Sequence, residues 1–388
     1  MTRLGDVCEK IGSGATPRGG KEAYKDAGIP IIRSQNIHDW VFQPDGLAFL
    51  DDEQAESLSN VEVRSNDVLL NITGDSVARA CIVPSERIPA RVNQHVAIVR
   101  AGKEINPTYL LASLQSKKTM LLSIASSGAT RNALTKRMIE NLDIDLPSRE
   151  IQDSIAQVLD SIQYKITLNN RLNDYLEQLV DGKFQELFGG LNFNATLSDV
   201  AEITMGQSPA GSSYNEEGAG IIFYQGRGEF GWRFPKRRLY TTEPKRLACE
   251  GDVLMSVRAP VGDLNVAFEN CCIGRGLAAI HSETPSFALY LMRFLKPQLE
   301  AYNGEGTVFG SINGKALKSL EVALPSHNEV MQFESFAAPI DALIRSNENE
   351  TRKLNNLRNY LLPKLMSGEI DVSKVDLTQL TNNHLADC

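Results

Sequence analysis

The chain has 388 residues, of which 42% are hydrophobic and 23% are charged, and its formal net charge is −8 at pH 7. This composition excludes disordered and collagen-like chains, and the length predicts two domains of ordinary size. Because no apolar run is long enough to span a membrane and the start MTRLGDVCEK lacks the apolar core of a signal peptide, we expect a cytoplasmic protein.

The first domain, predicted over residues 1–148, has the pattern of short β-strands. A β-branched and apolar run bounded by polar residues occupies 68–72, and such runs favour strands. A helix is predicted over 108–123. The segment 142–146 alternates apolar and acidic residues, which predicts a strand with one wet side, and Pro147 ends it.

A long spacer helix is predicted over residues 149–190. From Arg149 the apolar residues recur at steps of four and three, and neither Pro nor Gly occurs before Asp181. This spacing is typical of an amphipathic helix that pairs with another helix.

The second domain, predicted over 191–326, repeats the landmarks of the first in the same order. The matched segments are Leu4–Val7 with Leu197–Val200, Gly14–Pro17 with Gly206–Pro209, Ile31–Gln35 with Ile221–Gln225, Asn66–Leu70 with Gly251–Met255, Thr108–Ser123 with Phe287–Tyr302, and Leu142–Pro147 with Leu320–Pro325. We therefore interpret the chain as one unit used twice, a β-rich domain followed by a long helix.

A second spacer helix is predicted over 327–367, and a polar tail over 368–388. Two long apolar stripes in one chain predict an antiparallel coiled coil. Polar residues interrupt both stripes, and they either mark irregular amphipathicity, fix the register of the pair, or meet a partner. The residues predicted for the helix pair or a partner are Ile155, Leu159, Ile162, Ile166, Asn169, Leu176, Ile340, Leu343, Asn347, Leu354 and Leu357.

The acidic excess lies mostly in the two predicted helices and the tail. Residues 1–148 and 191–326 are each within one charge of neutrality, so either domain can present a basic face to nucleic acid. The six cysteines include no CxxC pair and the five histidines are scattered. These patterns predict buried free thiols and no metal site.

Three short motifs resemble catalytic or nucleotide-binding signatures. Asn106–Tyr109 resembles an adenine-methylase motif but lacks its second proline, and Asn-Pro is ordinary chemistry for a helix start. Gly226–Gly231 fits GxGxxG, yet the following Trp232–Pro235 cannot open a nucleotide-binding helix. Gly19–Lys21 misses the phosphate-loop pattern. We therefore predict a chain without catalytic residues.

The cation-rich segment Trp232–Tyr240 contains four cations among aromatic residues and no acid. It is typical of a loop that contacts phosphates and base edges, or of a solvated hairpin. Gln225 and Arg227 follow a predicted strand, and Arg33–Asn36 is their counterpart in the first domain. Gln and Arg can pair with adenine and guanine through two hydrogen bonds each.

Two loops rich in Gly, Ser and Thr, Ser126–Asn132 and Gly304–Thr307, are a second candidate pair. They suit close backbone approach to phosphate, and equally suit plain turns. The complete set of candidate DNA-binding residues is Arg33, Gln35, Asn36, Arg79, Arg131, Asn132, Lys136, Gln225, Arg227, Trp232, Arg233, Lys236, Arg237, Arg238, Arg258, Asn313 and Lys315.

The order of these parts resembles the DNA-specificity subunits of type I restriction–modification systems. The paired openings at Leu4 and Leu197, the Leu-Pro-Ser sequences before both helices, and the ending Leu361–Ile370 carry the resemblance. It implies an α+β fold with two target recognition domains and two spacer helices that form an antiparallel coiled coil. It also implies a pseudo-two-fold internal repeat.

The resemblance further implies a non-catalytic reader of a bipartite, asymmetric DNA target. Its partners would be double-stranded DNA, two methyltransferase subunits and the restriction subunits of the full complex. S-adenosylmethionine would bind to the methyltransferase partner, and this chain would carry no cofactor. The alternatives are a self-contained DNA-modification enzyme and a coiled-coil scaffold without a DNA role.

Overall fold

The computed structural model describes residues 1–126, 132–304 and 310–372. It divides into two compact units: unit 1 contains Met1–Leu168 and the segment from Glu350 onward, and unit 2 contains Asn169–Asn349. Each unit therefore combines one β-rich domain with half of each long helix. This division differs from the predicted one, in which the domains end at residues 148 and 326.

The first repeat is built from short strands and helices, followed by one long helix. Its strands are β1 (Thr2–Arg3), β2 (Cys8–Ser13), β3 (Ile29–Ile32), β4 (Ala48–Leu50), β5 (Glu62–Val63), β6 (Val68–Asn71), β7 (Ala80–Ile82), β8 (Ala90–Val92), β9 (Val96–Ala101) and β10 (Asp143–Ile144). Its helices are α1 (Leu4–Val7), α2 (Asp52–Ser57), α3 (Pro107–Ser116), α4 (Lys118–Ser126), α5 (Lys136–Glu140) and α6 (Arg149–Phe188).

The second repeat follows the same plan. Its strands are β11 (Ala195–Thr196), β12 (Glu202–Met205), β13 (Tyr214–Asn215), β14 (Ile221–Tyr224), β15 (Tyr240–Thr241), β16 (Leu247–Ala248), β17 (Val253–Ser256), β18 (Leu264–Val266), β19 (Cys271–Ile273), β20 (Leu277–His281) and β21 (Glu321–Val322). Its helices are α7 (Leu197–Val200), α8 (Pro285–Phe294), α9 (Lys296–Glu300), α10 (Gly314–Lys318) and α11 (His327–Met366).

Unit 1 contains two four-stranded sheets. One is antiparallel with the order β2-β9-β6-β7, and the other has the order β4-β3-β8-β5 with β3 and β8 parallel. Side chains alternate across strand β6: Val68 and Leu70 pack in the core beneath the helices, whereas Leu69 packs between the two sheets. A strand buried on both faces must be apolar at every position, which explains the continuous run at 68–70.

Unit 2 repeats this architecture with different side chains. Its sheets have the orders β12-β20-β17-β18 and β13-β15-β14-β19-β16, and β14 and β19 are parallel. Val253 and Met255 of β17 pack in the core with the helices, and Leu254 packs against the second sheet. The predicted internal repeat and the α+β class are confirmed.

The helix predicted over 108–123 is broken into α3 and α4, since Lys117 leaves the helical path between them. Asn106 caps α3, because its side-chain oxygen accepts hydrogen bonds from the N–H groups of Thr108 (2.8 Å) and Tyr109 (3.2 Å). This is ordinary N-cap chemistry, and it accounts for the Asn-Pro sequence without methylase chemistry.

In unit 1 the two long helices run antiparallel. Arg358 donates to the side-chain oxygen of Gln163 (2.7 Å), and Lys165 pairs with Glu350 (3.3 Å). Later residues of α6 thus contact earlier residues of α11. The apolar seam is formed by Ile155, Leu159, Ile162 and Ile166 with Leu362 and Leu365, all of which are buried.

In unit 2 the same antiparallel order appears. The side-chain amide of Asn347 donates to the amide oxygen of Asn173 (2.9 Å), and the rings of Phe184 and Phe333 are 5.3 Å apart. Asn169 and Asn347 are both buried and occupy the same position of the two repeats, 178 residues apart like Pro147 and Pro325. The polar interruption is therefore buried, and buried polar residues in a coiled coil can fix its register.

Burial divides the residues predicted for the helix pair or a partner. Leu343 is 45% exposed and Leu357 is also exposed, so both remain available to a partner, whereas Ile344 and Val180, which were not predicted, are buried. Alternating steps of three and four average 3.5 residues per turn, whereas a straight helix has 3.6. A stripe predicted from these steps is therefore displaced by about one residue from the true buried face after several turns. Leu176, Ile340 and Leu354 are half-buried at the edge of the seam.

None of the helices in the described parts of the chain is long and apolar enough to cross a membrane.

Candidate nucleic-acid interface

In unit 1, five loops meet at one end of the two sheets. Backbone hydrogen bonds join them: Ala15 N–H donates to Val92 O (3.0 Å), Asn93 N–H to Ile32 O (3.0 Å), Ile72 N–H to His95 O (3.0 Å) and Leu134 N–H to Ile72 O (2.8 Å). We define the strand-end surface of unit 1 as loops 14–16, 33–36, 72–74, 93–95 and 132–134.

Unit 2 has the same set of loops joined by the equivalent bonds. Gln207 N–H donates to Ile273 O (3.0 Å), Gly274 N–H to Tyr224 O (2.8 Å), Val257 N–H to Gly276 O (3.0 Å) and Ile312 N–H to Val257 O (3.0 Å). The strand-end surface of unit 2 comprises loops 206–208, 225–226, 257–258, 274–276 and 310–313.

Glycines allow these loops to pack backbone against backbone. A Cβ atom added at Gly14 would lie 2.1 Å from the carbonyl oxygen of Val92, and one at Gly206 would lie 2.2 Å from that of Gly274. Neither approach leaves room for a side chain. In addition, the parallel pairs β3/β8 and β14/β19 place the residues that follow them at one sheet edge.

The residues that follow the parallel strands are exposed and differ between the units. Gln35 and Gln225 were both predicted from the sequence and both are exposed. The equivalent bonds to Ile32 and Tyr224, however, make Gln225 the counterpart of Arg33, and Arg227 the counterpart of Gln35. Gln94 after β8 and Arg275 after β19 are also equivalent and exposed, and sequence reasoning missed both. The strands that precede them have only three residues, ARV in β8 and CCI in β19, and such short strands do not reveal a parallel partner.

Two predicted residues near Gln35 are held by the protein itself. The guanidinium of Arg33 lies 5.5 Å from the ring centre of Tyr24 and donates to the carbonyl of Gly46. Asn36 is buried, and its amide donates to the carbonyls of Gln43 (2.9 Å) and Asp45 (3.1 Å). Asn36 stabilises its own loop, so its side chain is not available to contact DNA and its prediction as a DNA contact is wrong.

The remaining predicted residues of unit 1 lie near the loop 72–74 or beyond it. Asn132 is exposed, and its carbonyl accepts from Gly74 N–H (3.1 Å). Arg79 is half-buried in the loop that follows β6. Lys136 is exposed at the start of α5 and pairs with Glu140. Arg131 lies outside the described residues.

The cation-rich segment of unit 2 is balanced by acids. Arg227 pairs with Asp263 (3.1 Å), and residues 231–239 form no strand, so the segment is not a hairpin. Arg237 pairs with Glu269 and Arg238 with Glu229, while Lys236 and Trp232 are exposed. Exposed pairs are worth at most about 1 kcal/mol, so Arg227 and Arg237 remain able to exchange a carboxylate for a phosphate. The carboxylate that pairs with Arg238 is different, because Glu229 is buried.

Arg233 is the exception, because it is only 4% exposed. Its guanidinium pairs with Glu177 of α6 (3.1 Å) and Asp341 of α11 (3.2 Å), and donates to the hydroxyl of Tyr290 (3.1 Å). Burial raises the pKa of Glu177, although Arg293 and Arg233 oppose the shift. A buried cation held by two carboxylates is not available to DNA, so the prediction of Arg233 as a DNA contact is wrong.

The other predicted residues of unit 2 belong to the strand-end surface or adjoin it. Arg258 is exposed and its backbone is bridged to Ser311. Asn313 caps α10 by accepting from Ala316 N–H (3.0 Å). Lys315 is exposed and lines an open groove together with Arg246 and Lys318. Clustered lysine and arginine side chains beside a polar surface suit a phosphate backbone.

The two strand-end surfaces share a backbone arrangement and differ in exposed side chains. Unit 1 presents Gln94 where unit 2 presents Arg275, and a half-buried Thr73, hydrogen-bonded to His95 (2.7 Å), where unit 2 presents Arg258. Amides suit adenine and guanidinium groups suit guanine in the major groove. The arrangement is chemically able to read two different short base sequences.

Comparisons with known proteins match most of the chain to one family. The family model of the type I restriction modification DNA specificity domain matches residues 1–178 and 194–359. The chain is 30% identical over 401 residues to the putative type I restriction enzyme MjaX specificity subunit of Methanocaldococcus jannaschii, covering 96% of this chain and 93% of that protein.

More distant relatives also match along their length. The type I restriction enzyme MjaIX specificity subunit of the same organism is 21% identical and is covered to 94%, with 97% of this chain. The crystal structure of the type I restriction-modification system S subunit from M. genitalium superposes with a TM-score of 0.60 at 14% identity, covering 94% of this chain and 95% of that one. The last match shows a shared fold.

Proposed function

Since this chain belongs to the type I restriction–modification DNA-specificity family and is its non-catalytic recognition subunit, we propose that each unit reads one half of a bipartite, asymmetric DNA target. The observation that carries the proposal is the pair of strand-end surfaces, which have the same backbone bonds and different side chains. The same backbone arrangement can place side chains of both units at the same depth in a DNA groove. Different side chains at these positions then select different bases.

Gln35 and Gln94 in unit 1, and Gln225, Arg258 and Arg275 in unit 2, are the proposed base-reading residues. All five are exposed at the strand-end surfaces. Lys136 and Lys315 are proposed to contact phosphates, as are the paired cations Arg227, Arg237 and Arg238. Phosphate contacts orient the protein and do not select bases.

The helix pair is proposed to set the spacing between the half-sites. Helices α6 and α11 each contain 40 residues, and at ~1.5 Å per residue each is about 60 Å long. Methyl transfer would then belong to partner methyltransferase subunits carrying S-adenosylmethionine, and DNA cleavage to restriction subunits.

The helices also expose apolar side chains that a monomer would normally bury. In unit 2, Leu172, Tyr175 and Leu179 follow one face of α6, and Tyr175 is 69% exposed. In unit 1, Tyr164 and Leu168 lie four residues apart on α6 and are exposed. Rows of exposed apolar residues mark interaction sites, and we propose that these faces bind the methyltransferase subunits.

The double variant Leu172→Ser/Leu179→Ser tests the docking face. It is expected to weaken the binding of methyltransferase subunits at least tenfold and to leave the thermal stability of the free chain nearly unchanged, because both side chains are exposed. Co-purification and titration by calorimetry measure the affinity. Gln178→Ser, an exposed polar change on the same helix, is the matched control. Equal affinity of the double variant and the control would exclude this face.

Mapping methylated adenines in the host genome, with and without this gene, tests the function as a whole. We expect one interrupted motif with two unlike half-sites, and we expect its loss when the gene is deleted. A continuous or palindromic motif would contradict the proposal. Methyl transfer by the purified chain alone would establish the self-contained enzyme instead, and the absence of sequence-selective binding with methyltransferase present would favour a scaffold.

A further inference from the structure

Three side chains of unit 2 that have no part in the proposed DNA reading lie close together, and each is of a type that commonly binds metal ions. The thiol of Cys249, the carboxylate of Asp252 and the imidazole of His281 each offer a ligand atom, and these atoms lie within 4.8 Å of one another. Asp252 is only 6% exposed, and it accepts from Cys249 N–H (2.8 Å) and from Nδ1 of His281 (2.6 Å).

Unit 1 has a different set of side chains at the same three positions. Asp67 precedes β6 as Asp252 precedes β17, and Arg64 and Cys249 lie three residues before their aspartates. Val68 pairs with Val99 and Val253 pairs with Ile280, so Arg100 and His281 are the residues that follow equivalent partners. Arg64 and Arg100 of unit 1 thus correspond to Cys249 and His281 of unit 2.

The two aspartates are buried, and a buried carboxylate needs a compensating charge. In unit 1 Arg100 supplies a permanent charge through two hydrogen bonds to Asp67, of 2.7 and 2.8 Å. In unit 2 His281 supplies one only when it is protonated, although the hydrogen bond to Asp252 raises its pKa. Glu202, which pairs with His281 across the strands, adds further negative charge. Where Arg100 stands in unit 1, unit 2 thus has no permanently charged side chain.

We propose that Cys249, Asp252 and His281 bind one divalent transition metal ion of the zinc class. Thiolate, imidazole and carboxylate are the ligand types that zinc prefers. Binding releases the thiol proton, and the imidazolium proton where it is present, and two ligand charges then neutralise the ion. In unit 2 the ion takes the place that Arg100 has in unit 1, and it joins the turn before β17 to the end of β20.

The geometry allows this site with small movements. Zinc bonds of ~2.0–2.3 Å place tetrahedral ligand atoms about 3.3–3.5 Å apart, and Cys249 and His281 are exposed side chains that can adjust. Their exposure also leaves the fourth position to a water molecule. Three protein ligands and one water then complete the tetrahedron around an ion that links the turn before β17 to the end of β20.

Titration of the full-length chain with Co²⁺ tests the proposal, because cobalt bound to a thiolate gives a charge-transfer absorption band. We expect one Co²⁺ per chain, displaced by Zn²⁺, and loss of the band in Cys249→Ser. Cys388→Ser, which removes another thiol, is the matched control and should keep the band. A band of equal intensity in Cys249→Ser, or no stoichiometric binding by the wild-type chain, would overturn the proposal.

His281→Gln supplies an independent measurement that does not depend on the thiol. One equivalent of Zn²⁺ should raise the melting temperature of the wild-type chain, since a ligand that binds the folded state stabilises it. The rise should be absent in His281→Gln, with Cys388→Ser again behaving as wild type. An equal rise in His281→Gln would place the metal elsewhere and reject the site.

Discussion

Arg233→Ala is expected to lower the free energy of unfolding of unit 2 by about 3–5 kcal/mol, the cost of breaking a buried ion pair by removing one partner. The guanidinium is 4% exposed and lies between Glu177 and Asp341. Its removal leaves two half-buried carboxylates without this cation, and Glu177 keeps a second cationic partner, Arg293. The burial that raises the pKa of Glu177 would then act without one of its two opposing cations.

Urea unfolding followed by the fluorescence of Trp232 measures this effect, with all variants made in a Trp40→Phe background so that the signal comes from unit 2. Arg237→Ala is the matched control, because Arg237 is an exposed arginine paired with Glu269 in the same segment. Its expected cost is at most about 1 kcal/mol. If Arg233→Ala costs no more than Arg237→Ala, the buried pairs do not stabilise the domain.

The contrast between Arg233 and Arg237 shows that burial of a charged side chain cannot be predicted from its local sequence. Both arginines lie in one short cation-rich segment, and nothing local separates them. The difference comes from Glu177 and from Asp341, which is 108 residues away in the chain. Tertiary contacts of this kind are not encoded in spacing, so the sequence predicts DNA contact for all four cations of the segment alike.

The repeat and the long helices were predictable because their signals are periodic. The apolar run of β6 and that of β17 recur with the same flanking Asp, and the Leu-Pro-Ser sequences precede α6 and α11 directly. The exact seam was not predictable, since Leu343 and Ile344 are neighbours of similar hydrophobicity. Only packing decides that Ile344 is buried and Leu343 is exposed.

The strand-end surfaces were predictable only where their loops follow strands that recur in both repeats. Gln35 and Gln225 follow β3 and β14, which match between the repeats, so the sequence shows that the loops after these strands correspond. It does not show their register, which is shifted by two residues in the structure. Gln94 and Arg275 follow β8 and β19, whose parallel partners are distant in the chain. The group around Asp252 was missed likewise, because Cys249 and His281 come together only through the pairing of β17 with β20.

Arg275→Ala is expected to relax one base pair of the half-site read by unit 2, at a cost of about 1–3 kcal/mol, or roughly 5- to 150-fold in affinity. Arg275 is exposed on the strand-end surface of unit 2, and its backbone N–H donates to the hydroxyl of Ser208 (3.3 Å), so the loop keeps its position without the guanidinium. Binding of the complex with methyltransferase subunits to a library of single-base target variants measures the change. The half-site read by unit 1 should be unaffected.

Lys315→Ala separates base reading from backbone binding. Lys315 is an exposed cation in the groove with Arg246 and Lys318, and loss of a phosphate contact should weaken all targets alike and reduce the salt dependence by about one ion. Arg275→Ala should instead change the ranking of targets at one position. If Arg275→Ala weakens every target uniformly, or alters both half-sites, then the strand-end surface of unit 2 does not read bases and the assignment of one half-site to each unit fails.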